Sequence, residues 1–312
     1  MSKSLHNYIN GNVIVNLYND GTKILTCNSV PDPEYPLHFD CKITNYCSPE
    51  KDNPICNYCH EMSGLNGKHG DLSKLLEVLK ELPAGTEAAV GGGNPLSHPD
   101  FVPFLKELKK LQLVPNITIN QKHVEKDFDL IKQLINEKLV YGVGISYSQE
   151  KYLEHIEKLL PLTNNLVFHF IAGLNSLKDI DTVKKSTDKF DKDCKILILG
   201  YKEYGFGLNY YLKNKEVEKN KYLWMTRLHE YFKYNNLTLS FDNLAISQLR
   251  MKRFFKDNDW EKFFLGNDGE FSMYIDAVKQ EFAKSSTSKE RKSFNDISIK
   301  DYFQSLKKIS NN

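Results

Sequence analysis

Four of the six cysteines, Cys41, Cys47, Cys56 and Cys59, fall within one short stretch of the chain. The opening segment from Met1 to Asn7 lacks the apolar stretch of a secretory signal. A cytoplasmic, reducing setting is therefore expected, where cysteines serve as ligands or core residues and not as bridges. Eight residues, Ser48 to Ile55, separate Cys47 from Cys56, and only Asn57 and Tyr58 separate Cys56 from Cys59. Three thiolates from one such loop can bind three irons of a [4Fe–4S] cube and leave the fourth iron open. The same three with His60 or His69 could instead complete a Cys3His zinc site. Cys56 to His60 also spells the attachment pattern of a c-type haem; that attachment goes with export, so the match is set aside as chance. Cys41 lies inside an apolar run and reads as a core or barrel-facing thiol, while Cys27 and Cys194 are isolated and read as core.

Such a loop needs a frame to hold it. From residue 37 onward, apolar runs that read as strands alternate with segments of helical period: Leu37–Thr44, Glu87–Val90, Asn116–Ile119, Val140–Ser146, Leu166–Ile171 and Lys195–Leu199. Between them, Leu72, Leu75, Leu76, Leu79 and Leu82 mark one helix face, with Asp71 as its N-cap. Phe101, Phe104, Leu105, Leu108 and Leu111 mark the next. Phe128 to Ile135 and Leu153 to Leu160 mark two more, and Val183 with Phe190 a weaker fifth. Strand, helix and strand recur every ~25–30 residues, the size of a βαβ unit. Six units point to a partial or full α/β barrel, with an open doubly wound sheet as rival. Ligands bind at the C-terminal ends of the strands in both, and the cysteine loop leaves the first strand at that end. Strands rich in Ile and Val are expected to be covered on both faces.

Asn10-Gly11 and Asp20-Gly21 are tight-turn signals within residues 1–35, which read as a small β-hairpin element. The prolines at 31, 33 and 36 mark a boundary. Residues 36–207 form the expected barrel core and 208–312 an α+β extension capping it. After Gly207 the alternation is expected to break. A helix is expected from about Lys221 to Tyr234, and a strand at Leu237–Phe241 followed by Asp242-Asn243 as a cap or turn. A hairpin turn is expected at Asn267 to Gly269, leading into Phe271–Ile275, then a polar surface loop from Ser285 to Lys292 and a helix over Asp301–Lys308. The 312 residues, 40% hydrophobic and 12% aromatic, suffice for a large core and a lined cavity. A net charge of +2 indicates neither a nucleic-acid nor a membrane partner, and no run reaches the roughly 18 apolar residues of a membrane span.

Ile43-Thr44-Asn45 at a strand end, then Cys47, Cys56, Tyr58 and Cys59, resembles the radical S-adenosylmethionine (SAM) superfamily. Its usual motif is Cys-x3-Cys-x-aromatic-Cys; here the first spacing is longer, in a polar insert with two prolines. Val90-Gly91-Gly92-Gly93-Asn94-Pro95-Leu96 looks like the same family's Gly-Gly-Glu-Pro motif for the SAM amino group. Asn94 stands where Glu is usual, so a carboxylate contribution is lost while a backbone carbonyl can still receive the ammonium. The resemblance covers about residues 36–205. It implies a partial (β/α)6-type barrel with a [4Fe–4S] cluster on Cys47, Cys56 and Cys59. SAM contacts are implied for Gly91, Gly92, Gly93, Asn94, Pro95, Tyr58, Ser146, Ser148 and Tyr201. Ala172-Gly173 and Gly200-Tyr201 fit an adenine shelf and also fit ordinary barrel packing, and either serine also fits a plain polar strand end.

The implied chemistry is reductive cleavage of SAM to a 5′-deoxyadenosyl radical that abstracts hydrogen from a substrate. That substrate is open among small molecules, nucleosides and peptides, and the electron donor would be a flavodoxin or ferredoxin. No cysteine follows Cys194, so auxiliary clusters are not expected. Asn120, Lys202 and Tyr204 sit at strand ends and could face substrate, while His98 and His169 read as capping or packed. A zinc-stabilised, non-catalytic binding module and an activating enzyme that places a radical on a protein partner are the other readings.

Overall fold

The structure, a computed structural model, describes residues 3–48 and 56–310. Residues 49–55, all of the insert between Cys47 and Cys56 except Ser48, lie outside the described residues. The chain opens with an antiparallel sheet of β1 (Ser4–Asn10), β2 (Val13–Tyr18) and β3 (Lys23–Thr26). Gly11 and Gly21 take positive φ at its two turns, as the Asn-Gly and Asp-Gly signals require.

A ten-stranded sheet follows. Strands β4 (His38–Thr44), β5 (Glu87–Gly92), β6 (Val114–Asn120), β7 (Gly142–Ser146), β8 (Leu166–Ile171), β9 (Cys194–Leu199) and β10 (Leu237–Phe241) lie parallel and side by side in chain order. Strand β11 (Ser272–Asp276) pairs parallel with the free side of β4. Strands β12 (Glu281–Ala283) and β13 (Arg291–Ser293) complete that flank antiparallel. The order runs from β10 at one edge to β13 at the other, the arrangement of a partial α/β barrel.

Helices α1 (Leu72–Leu79), α2 (Phe101–Lys110), α3 (Phe128–Asn136), α4 (Leu153–Glu157) and α5 (Leu177–Asp188) connect successive strands from β4 to β9. Asp71 caps α1 by accepting from the backbone of Ser73 and Lys74, both at 3.1 Å. Leu75, Leu79, Phe104, Leu108, Ile131 and Leu134 pack in one core with Phe39, Cys41, Ile43, Val90, Ile117, Ile145, Phe168 and Ile198 of the strands. Each such buried side chain contributes roughly 1.5–3 kcal/mol, so the helices fix the strands firmly from one face.

The opposite face of the strands departs from the sequence expectation. Many of the alternate residues there are polar: His38, Asp40 and Lys42 on β4, Asn116, Thr118 and Asn120 on β6, His169 on β8 and Lys195 on β9, while Val167, Ile171, Leu197 and Leu199 keep part of that face apolar. The two-residue period explains this, because in a barrel only one face of each strand meets helices while the other faces the interior. Asp40 shows what that interior is like. Its carboxylate touches solvent, yet the surrounding protein raises its pKa by burial.

The three-stranded sheet sits against the N-terminal ends of these strands. Lys23 forms an ion pair with Glu87 at the start of β5. Asn165, just before β8, donates to the Asn19 carbonyl at 3.2 Å. The Lys195 ammonium, near the start of β9, donates to the Asp20 carbonyl at 3.0 Å.

Later in the chain the alternation continues where a break was expected. Helices α6 (Phe206–Lys213) and α7 (Glu216–Arg227) connect β9 to the parallel β10. The charged helix therefore begins earlier than expected, and its final turn, Leu228–Tyr231, is 3-10. Helices α8 (Asn243–Gln248) and α9 (Asp257–Phe263) lead to β11, and α10 (Ile299–Ser310) ends the described chain. Gly269 takes positive φ in a turn that joins α9 to β11, not two hairpin strands. Residues 285–288 are half-buried instead of forming a surface loop, because the β12–β13 connection folds onto the strand ends.

Candidate functional site

The site starts from the way the cysteine loop is held. Beyond β4 the chain runs outward through Asn45 and Tyr46 to Cys47, and a return limb runs back beside it. The Asn45 amide donates to the Lys68 carbonyl at 3.0 Å, Cys47 to Gly64 at 3.1 Å and Gly70 to Ile43 at 2.8 Å. The Asn45 side chain closes the pair by accepting from the Lys68 amide at 2.6 Å. Cys56 and Cys59 are joined by a tight turn, the Cys59 amide donating to the Cys56 carbonyl at 3.0 Å. The start of α6 rests on this turn: the Phe206 amide donates to the Cys59 carbonyl at 3.1 Å, and Tyr58 packs edge-on against Tyr210 at 5.8 Å.

Two of the three thiols face neighbours from the end of β6 and its turn. The Asn120 amide group donates to the Cys56 sulfur at 3.7 Å, and the His123 Nε2 lies 3.8 Å from the Cys47 sulfur. Burial pushes the Cys47 thiol up to about 11, reinforced by the neighbouring Cys56 and Cys59 thiols and opposed by Lys122. Burial also raises Cys56, against the pull of Lys122 and of its bond from the Tyr58 hydroxyl. His123 is lowered by burial, so its imidazole is neutral at neutral pH. Thiols in this setting stay protonated until a metal displaces the proton. Among the described residues no three His, Cys, Asp or Glu side chains converge on one point as a single ion requires. His60 and His69 are engaged elsewhere: His60 Nε2 lies 3.4 Å from the Lys202 ammonium, and His69 Nδ1 lies 3.0 Å from the Thr44 hydroxyl.

The glycine motif is bonded directly to the cysteine loop. The Gly93 amide donates to the Thr44 carbonyl at 2.7 Å, and the Asn94 amide to the Tyr46 carbonyl at 2.8 Å. This close approach explains two of the three glycines. A Cβ on Gly93 would lie 2.1 Å from the Tyr46 oxygen, and one on Gly92, where φ is +119°, would lie 2.2 Å from the Thr44 oxygen. Gly91 is different, since a Cβ there would meet only Thr118 at 3.7 Å. Asn94 is buried, and its side-chain oxygen accepts from the Leu96 amide at 3.2 Å, capping the 3-10 turn that begins at Pro95.

The remaining predicted residues spread along the strand ends. Ser146 ends β7, in register with Asn120 and His169. Ser148 lies beyond the strand, and its amide donates to the Gln121 side chain at 2.9 Å. The hydroxyls of Ser148 and Tyr147 are buried with no hydrogen-bond partner among the described residues. Tyr201 is buried, and its hydroxyl donates to the Gly207 carbonyl at 2.7 Å. Gly200 packs beneath the start of α8 and Gly173 beneath α7. Asp242 is the N-cap of α8, accepting from Ala245 at 2.6 Å and from the Gly200 amide at 2.9 Å. His98 accepts from the Asp100 amide at 3.1 Å, and His169 lies over Gly144, so both are packing and capping histidines as expected. Cys41 is buried in the core.

Sequence reading missed a charged cluster beside the loop. The Lys42 ammonium lies 2.8 Å from Glu61 and 2.9 Å from Asp276, and Arg291 lies 3.6 Å from the same Asp276 oxygen. The Tyr274 hydroxyl donates to Glu61 at 2.9 Å. The available signal was a lysine at an inward position of an apolar strand, and it pointed to a buried partner without naming it.

No protein-family model and no curated protein matches this sequence. Solved structures do. SuiB of Streptococcus suis bound to the precursor peptide SuiA superposes with a TM-score of 0.60 at 11% identity, over 87% of this chain and 65% of SuiB. SuiB bound to S-adenosylmethionine gives 0.60 at 11% identity over 87% and 66%. The chain shares the fold of SuiB. A third SuiB structure gives a TM-score of 0.53 at 12% identity, over 87% of this chain and 66% of SuiB. SuiB is a radical SAM enzyme, the family whose motifs the cysteine loop and the glycine turn resemble. This chain spans just under two thirds of SuiB's length.

Proposed function

We propose that this chain is a radical SAM enzyme in which Cys47, Cys56 and Cys59 hold a [4Fe–4S] cluster. The observation that carries the reading is the pair of backbone hydrogen bonds joining Thr44 and Tyr46 to Gly93 and Asn94. They bring two motifs, separate in sequence, to the C-terminal ends of adjacent parallel strands in the SuiB fold. The donor set also fits: the Cys47 thiol is raised first by burial and then by the neighbouring Cys56 and Cys59 thiols, which places the three sulfurs near one another. A bound cluster would supply the electron that cleaves SAM.

The rest of the reading concerns what the chain's own residues do. Gly91, where a Cβ would meet Thr118 only at ordinary contact distance, lets the methionine end approach the β5 strand end. Backbone carbonyls of the Gly91 to Pro95 turn receive the ammonium, because the Asn94 side chain is spent on capping Leu96. The Ser148 hydroxyl, buried without a partner among the described residues, suits a polar group of a ligand, and with Ser146 it would meet the ribose or carboxylate. Tyr58 shields the cluster by packing on Tyr210, and Tyr201 holds the adenine side through its tie to Gly207. The polar interior face offers a substrate cavity, and the peptide bound to SuiB favours a peptide among the substrate classes. A flavodoxin or ferredoxin would deliver the electron.

The test is anaerobic reconstitution with iron and sulfide, then dithionite and SAM, with 5′-deoxyadenosine measured by chromatography. Wild type and Cys41→Ala are expected to form it. Cys47→Ala, Cys56→Ala and Cys59→Ala are expected to form none. A protein that takes up one zinc and leaves SAM intact would instead be the binding module.

A further inference from the structure

The charged cluster beside the loop is not used by any step above. Lys42 sits at an inward position of β4, with its side chain only 7% exposed. It touches three parts of the molecule that are far apart in sequence. Its ammonium bonds Glu61, two residues past Cys59, at 2.8 Å. The same ammonium pairs with Asp276 at the end of β11, at 2.9 Å. Its aliphatic stem runs under the glycine turn, where a Cβ on Gly92 would lie 2.9 Å from the Lys42 Cγ. The Lys42 carbonyl also accepts from the Ala277 amide at 2.9 Å. Tyr274 steadies Glu61 from β11, and Arg291 steadies Asp276 from β13.

We propose that Lys42 is a positioning residue for the cluster, holding the Cys59 limb of the loop in register with the glycine turn. The inference rests on the reading of Cys59 as a ligand. The limb after Cys59 needs such an anchor. Its exposed residues Met62 and Leu65 face outward, and the adjacent segment toward Cys47 is a long polar insert. Lys42 adds a two-carboxylate clamp at the strand end to the backbone bonds that Gly64 makes with Asn45 and Cys47. Removing the ammonium leaves Glu61 to the Tyr274 hydroxyl and Asp276 to Arg291 and the Val278 and Lys279 amides, and takes away the cation that joins the two carboxylates, so the limb would shift out of register. Groups that orient metal ligands in this way typically change metal affinity by about 10–100-fold when lost.

The experiment uses the full chain, reconstituted anaerobically, as wild type, Lys42→Met, Lys42→Arg and Arg291→Met. Fold is checked by circular dichroism. Cluster loss to an iron chelator is timed, and electron paramagnetic resonance of the reduced protein is recorded before and after SAM. Lys42→Met is expected to lose its cluster about 10-fold faster, with an altered spectrum that SAM no longer shifts. Lys42→Arg, which keeps a cation within reach of both carboxylates, restores the slow rate. Arg291→Met, which touches Asp276 but not Glu61, lowers thermal stability and leaves rate and spectrum as in wild type. The proposal is overturned if folded Lys42→Met matches wild type in rate and spectrum. It is equally overturned if Arg291→Met speeds loss as much as Lys42→Met, since the network would then serve the fold alone. Should Lys42→Met not fold, Glu61→Gln keeps the shape and removes the charge, and an unchanged rate there overturns the proposal as well. A wild type that takes up no iron ends the functional reading itself, and with it this one.

Discussion

At the scale of single residues, the three glycines after β5 separate into two kinds. Gly93 and Gly92 are demanded by carbonyls of the cysteine loop, while Gly91 has room beside it. Gly93→Ala should therefore cost about 1–3 kcal/mol in overpacking and prevent the loop from seating, read as a lower melting temperature together with lost iron uptake. Gly91→Ala should melt like wild type and bind iron normally, but bind SAM more weakly in equilibrium dialysis. Equal behaviour of the two variants would undo this distinction. The thiols, the glycines and the Asp71 cap were legible in the sequence because each depends on neighbours only a few positions away. Lys42 was not, since its meaning comes from Glu61 and Asp276, which only the fold brings to it. Asn94 was half legible: its departure from the usual carboxylate was plain, but its capping of Leu96 appears only once the turn is formed.

At the scale of elements, the strands and helices of residues 36–207 followed their periodicity, because α1 to α5 each bury one apolar stripe on the sheet. The later elements were harder to read. Helix α7 has only Val217 and Trp224 buried, so its stripe is thin. Helix α8 is too short to show a period, and its start is legible only from its cap. That cap supports a prediction. Asp242→Ala removes acceptors for both Ala245 and Gly200 and should lower stability by about 0.5–2 kcal/mol, measured as a shift in the urea midpoint. Asp242→Asn, which can still accept, should recover most of the loss. If both variants unfold like wild type, the cap does not join α8 to the end of β9. The parallel pairing of β11 with β4 left no sequence signal, because a strand's partner is not encoded in its alternation.

At the scale of the whole molecule, the inner face buries titratable groups away from the cysteines. His38 and His169 are both lowered to about 4, chiefly by burial, with Lys23 adding to the effect on His38 and Glu87 opposing it. Both are neutral in the folded chain at neutral pH. Between the ordinary value of 6.5 and about 4, the unfolded chain takes up protons that the folded chain refuses. Stability is thus complete above that window and falls as the pH drops through it. Urea midpoints across the window should decline, and His169→Gln should flatten the decline if the variant stays folded. A flat profile in wild type would contradict the burial of these rings. Among the described residues, no helix is long and apolar enough to cross a membrane.

The place of β11 has a consequence for how the protein is made. Strand β4 emerges early from the ribosome and carries the cysteine loop, yet one of its two neighbours is encoded much later in the message. Until β11 arrives, that side of β4 is an open edge and Asp276 is absent from beside Lys42. On the proposed reading, a nascent chain that already contains all three thiols should therefore hold iron poorly, and iron uptake should follow the synthesis of β11 instead of accompanying that of the loop.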